Sequence, residues 1–101
     1  MSNIMQARKA LVARILEGDG KASRAMRCAA FENAGLTGPL STLIVKVANC
    51  AHKVTDDDIA AAKASGVGED QIFEMVVCAA IGQAARQYAA LAALAAATEL
   101  E

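Results

Sequence analysis

Apolar residues along this chain recur at intervals of three and four and nowhere settle into the alternation that a strand needs. Ile4, Ala7, Leu11 and Ile15 form a stripe over about 3–17 that Gly18-Asp19-Gly20 closes, which predicts a first helix. A second helix covers about 22–33 and stops at the breaker segment from Gly35 to Pro39. Leu40, Leu43, Ile44, Val47 and Ala51 give the clearest apolar face in the chain and predict a third helix over about 40–51. A fourth starts after Thr55. There Asp56, Asp57 and Asp58 place acids where a helix dipole favours negative charge, and the acid three residues after Thr55 makes an approximate capping box. Gly66 supplies the left-handed residue that ends it. A fifth helix begins near Glu69-Asp70 and continues to about 98. About a quarter of the residues are Ala, the best helix former. The pattern predicts one all-α domain over 1–101, a bundle of about five helices with a long C-terminal helix and no internal repeats.

The length of the last helix changes the picture. At 1.5 Å per residue it would run roughly 40–45 Å, whereas a compact domain of this size is roughly 33 Å across. It must kink, with Gly82 as the candidate, or project beyond its own subunit. Its segment from Met75 to Gly82 is apolar all round, more than a small isolated domain can cover. Both features predict a homo-oligomer, with Ala residues and Gly82 permitting close helix approach.

Composition narrows the classes. The formal charge is −1 without a Lys/Arg cluster, and aromatics make up 3%, so neither a phosphate-tracking surface nor a base-stacking platform is available and no nucleic acid partner is expected. Arg8, Lys9 and Arg14 interrupt the first apolar segment, so no signal peptide is expected. Cys28, Cys50 and Cys78 cannot all pair within one chain, which favours free thiols in a reducing cytoplasmic compartment. No membrane span is expected, because Gln83, Arg86 and Gln87 break the Ala-rich segment from Met75 to Ala97.

Three places could carry chemistry. Cys50 and His52 stand at the end of the third helix. Residues two apart on a helix lie about 200° apart, so the pair converges only where the helix has ended. Metal binding would need further ligands, and Cys28 and Cys78 lack a finger-like spacing; neither metal nor cofactor is expected. Cys50 also continues the Leu43–Val47 face, where a buried, unreactive thiol raised in pKa is the simpler expectation; the functional one is a thiol lowered by a protonated His52. The run Asp56-Asp57-Asp58 is explained by capping. Gln83 and Arg86 share a helical face with Tyr88 nearby, and Arg86 is the only cation from Val67 onwards. Such an Arg takes a specific partner within the fold, across an interface, or on a bound anion.

The order of these pieces resembles the carboxymuconolactone decarboxylase and alkylhydroperoxidase D-like (AhpD-like) family. The likeness is carried by Leu43-Ile44-Val45-Lys46-Val47-Ala48-Asn49-Cys50, by the acid-started helix closing at Ala64-Ser65-Gly66-Val67, and by Glu69-Asp70-Gln71-Ile72-Phe73-Glu74-Met75 leading into an Ala-rich helix. It covers about 40–97. The resemblance implies an AhpD-like all-helical bundle that forms trimers, hexamers or related homo-oligomers. The peroxidase branch carries Cys-x-x-Cys-x-x-x-His, whose first Cys falls on Cys50. Its second Cys falls on Lys53, and its His on Asp57, or on Asp58 with a one-residue shift. His52 lies inside the motif without replacing that His, and no acid stands between Leu36 and Asn49 to feed a proton relay. Without the second thiol, oxidation and resolution as a disulfide cannot close within the motif.

The leading expectation is therefore an AhpD-like homo-oligomer without dithiol peroxidase activity, noncatalytic or of unassigned reaction. A decarboxylase-type enzyme would hold a small carboxylate or lactone with Arg86 and Gln83 and use His52 as acid or base. A one-cysteine peroxidase would oxidise Cys50 to sulfenic acid and reduce it with an external thiol.

Overall fold

A computed structural model describes residues 2–99, with side chains over 6–98. It is all-helical, without a strand among the described residues: α1 (Ser2–Glu17), α2 (Arg24–Glu32), α3 (Gly38–Cys50), a 3-10 turn (Ala51–Lys53), α4 (Asp56–Ala64) and α5 (Glu69–Glu99).

Local chemistry accounts for most of the boundaries. Ser23 caps α2 by accepting from the Met26 N–H at 3.1 Å. At the other end Asn33 adopts the left-handed conformation (φ 54°), ending the helix before the glycine at 35 is reached. Pro39 sits in the first turn of α3, where its missing N–H costs nothing. The capping box at α4 is complete. The Thr55 hydroxyl accepts from the Asp58 N–H at 3.2 Å, and the Asp58 carboxylate accepts from the Thr55 N–H at 2.9 Å. That carboxylate also takes Lys46 Nζ from α3 at 2.8 Å, fixing α4 against α3. Gly66 follows at φ 101°, a conformation an L side chain resists.

The core lies where α2, α3 and α5 meet, and Leu43, Ile44, Met75 and Cys78 are its largest fully enclosed side chains. α2 and α5 share the most extensive packing. Gly82 is what lets them approach: a methyl group there would run into the backbone of Phe31. The residue considered as a kink is therefore a helix-crossing point within the chain. α5 continues through it unbroken for 31 residues. The molecule accordingly measures 52 × 29 × 20 Å, and α5 projects. From Arg86 to Thr98 every side chain is exposed, Leu91 at 66% and Leu94 at 64%.

The α1 stripe differs from expectation. Leu11 is 45% exposed and Ala7 is exposed, while Val12, Ile15 and Leu16 turn inward; the side chain of Ile4 lies outside the described residues. The reason is an anchor from elsewhere in the chain. Arg27 on α2 is 8% exposed, and its Nη1 donates to the carbonyls of Ile15 at 3.1 Å and Gly18 at 2.6 Å. This guanidinium ties off the C-terminus of α1 and fixes which way the helix faces. Glu74 on α5 holds the following loop, accepting from the N–H groups of Lys21 at 2.7 Å and Ala22 at 3.1 Å.

Candidate functional site

α3 ends at Cys50, whose backbone (φ −155°, ψ 61°) has already left the helix, and the chain turns through Ala51-His52-Lys53 before α4. Cys50 is half-buried, and both His52 and Lys53 are exposed. The sequence-based expectation of a buried Cys50 is thereby corrected. The face that starts with Leu43 and Val47 continues through residue 51, four positions on from Val47, and carries Cys50 off to one side. The enclosed thiol is Cys78 on α5, 1% exposed and within 3.8 Å of the Ile15 carbonyl. Burial pushes its pKa up, against a weaker pull downwards from Arg27.

Beside the end of α3 opens an apolar groove of about 490 Å³ between α3, α4 and α5. Val47, Val54, Ile59, Ile72 and Phe73 line it, with Phe73 68% exposed. Neither Cys50 nor His52 lines it. Glu69 is the only charged lining residue among the described residues. Lys63, outside the lining, pairs with Glu69 at 3.6 Å, so the groove offers a carboxylate no direct counter-charge of its own.

Arg86 and Gln83 are brought together, on the α2 side of α5. Arg86 Nη2 donates to Gln83 Oε1 at 3.0 Å, and Nη1 donates to the Phe31 carbonyl at 2.7 Å in the last turn of α2. The lone cation from Val67 onwards thus has its partner within the fold, at a helix end whose dipole favours it. No hydrogen bond joins either residue to Cys50 or His52 among the described residues. Tyr88 stacks under the Arg8 guanidinium, 4.2 Å from the ring centroid.

Asp56 and Asp57 are exposed in the first turn of α4, and Asp58 serves the capping box and Lys46. Lys46 and the Thr55 N–H hold the Asp58 carboxyl below the ordinary carboxylate range. No group of three metal-ligating side chains occurs among the described residues. Likewise, no helix there is long and apolar enough to cross a membrane.

Sequence reasoning passed over Arg27 and Glu74. For Arg27 the available signal was its position three and four residues before Ala30 and Phe31, on the inward face of α2. Glu74 gave none, since its partners lie more than fifty residues earlier. No family model matches this chain, and neither does any curated protein or solved structure.

Proposed function

We propose that this chain is an AhpD-like helical subunit that assembles with copies of itself, as a trimer or hexamer in the cytoplasm, and carries out no dithiol peroxidase chemistry. The observation that supports this reading most is the end of α3. Cys50 is followed three residues later by exposed Lys53, and the other thiols stand on α2 and α5, with Cys78 enclosed in the core. A peroxidatic thiol needs a resolving partner within reach and an electropositive setting that favours the thiolate. Here the adjoining helix start carries Asp56, Asp57 and Asp58 in its first turn. Self-association is supported by the uncharged segment from Gln87 to Thr98, which leaves Leu91 and Leu94 in water.

Steady-state assays with an alkyl hydroperoxide and a lipoyl or thioredoxin-type dithiol test the chemistry. Turnover no higher than that of a Cys50→Ser variant is expected. Turnover well above that variant would replace this reading with the one-cysteine peroxidase. Sedimentation at micromolar concentration tests assembly, and a stable single-chain mass would refute it.

A further inference from the structure

A second cavity, about 460 Å³, lies where α1 leans on α2 and α5, and none of Cys50, His52, Gln83 and Arg86 lines it. That volume falls within the range of small-molecule sites, roughly 300–1,000 Å³. Its floor is apolar: Val12, Leu16, Cys28, Phe31 and Ala85. Its rim carries Arg8, Lys9, Arg24 and Glu17. Arg24 and Glu17 neutralise one another as an ion pair. Arg8 and Lys9 have no carboxylate within ion-pairing distance among the described residues, so the rim is left with two unmatched positive charges.

Arg8 is the informative member. Its guanidinium is held over the Tyr88 ring. Arg27 and Arg86 direct donors at helix-end carbonyls, whereas Arg8 has no such acceptor among the described residues. A guanidinium that donates no hydrogen bond among the described residues is free to take a planar two-oxygen acceptor.

We propose that this cavity binds a small amphipathic carboxylate, its anionic head on Arg8 and Lys9 and its apolar tail against Val12, Leu16, Cys28 and Phe31. The site is separate from Cys50, so the proposal stands or falls independently of the peroxidase question.

Cys28 makes the test direct, because it is half-buried in the cavity floor while half-buried Cys50 lies outside it. Labelling of the whole chain with iodoacetamide, resolved by peptide mass spectrometry, reads both thiols in one sample. Decanoate is expected to slow Cys28 labelling while leaving Cys50 unchanged. Protection by decanol should require about tenfold more ligand, the loss of a charge-assisted contact. Shortening decanoate to octanoate should weaken protection by up to roughly fifteenfold, from two methylenes fewer against the floor. An Arg8→Gln/Lys9→Gln variant should lose the preference for acid over alcohol yet keep protection by decanol, which also reports that the cavity is still formed. Absence of protection, equal slowing of Cys50, equal potency of acid and alcohol, or a free-state Cys28 no faster than Cys78 would each overturn the proposal.

Discussion

Replacing Gly82 with Ala pits helix propensity against packing at the α2–α5 crossing. The added methyl would sit 2.8 Å from the carbonyl carbon of Phe31 and 3.0 Å from its Cα, and closer still to the oxygen. All three are backbone atoms, so no side chain can rotate away and one helix must shift. Propensity favours Ala over Gly by about 1 kcal/mol in a helix interior. Overpacking costs about 1–3 kcal/mol, and a wholly backbone clash belongs at the upper end. The Phe31 oxygen also accepts from Arg86 Nη1 at 2.7 Å, and displacing it weakens that bond. The net expectation is a loss of about 2 kcal/mol. For a domain of this size that lowers Tm by about 10 °C. Thermal and urea unfolding followed by far-UV circular dichroism, at matched protein concentration, give the value. An Ala90→Gly control on the exposed part of α5 reports propensity alone and should cost about 1 kcal/mol or less. If Gly82 served as a hinge, Ala would stabilise the helix. A Gly82→Ala protein as stable as the parent would refute the crossing argument.

Three further outcomes follow from particular contacts. Arg27→Met should cost about 2–3 kcal/mol by leaving the Ile15 and Gly18 carbonyls without their donor; amide exchange should then accelerate over residues 6–17 but not in α3, and uniform acceleration would count against a local anchor. Glu74 has its carboxyl held below the ordinary value, chiefly by the Lys21 N–H and then by Ala22. A lowered folded-state pKa adds stability that is present above the unfolded value, near 4.5, and is lost as pH falls through the folded one. Urea midpoints measured from neutral pH downwards should therefore fall more steeply below about pH 4.5 for the parent than for Glu74→Gln, and parallel curves would exclude this linkage. A Leu91→Gln/Leu94→Gln double variant should keep its helicity and lose assembled mass in sedimentation, whereas unchanged assembly would place the interface elsewhere.

What the sequence made legible was decided within about one helical turn. Thr55, Asp58 and Gly66 act on backbone groups two to four residues away, so α4 could be bounded from the chain alone. The apolar spacing of Leu40, Leu43 and Ile44 was equally plain, because α3 packs on both α4 and α5 and has little freedom to face otherwise. α1 has less packing to orient it. Its inward face is set by a guanidinium twelve residues from Ile15, and periodicity among near-equivalent apolar positions cannot report that. Gly82 was visible as a glycine, but its role depends on a carbonyl more than fifty residues away. At the candidate site, Lys53 three residues after Cys50 was readable directly from the chain. The sideways position of Cys50 was not, because it follows from where α3 stops.

The distribution of arginine contacts links these observations. Arg27 from α2 closes the C-terminus of α1, and Arg86 from α5 approaches the C-terminus of α2, so each of these helices is finished by a cation from a later one. Such a contact satisfies orphan carbonyls and orients two helices at once, which suits a small domain with few aromatics to lock its packing. It also bears on the expected role of Arg86. An Nη1 committed to Phe31 and an Nη2 committed to Gln83 would have to break both bonds to grip a substrate with those donors, at a cost binding must recover. Arg8 carries no such commitment. It rests on the Tyr88 ring without a carboxylate partner among the described residues, and it lines a cavity. The anion chemistry that sequence reasoning assigned to Arg86 is therefore better supported at Arg8, which stands over Tyr88 at the same end of the α1–α5 pairing.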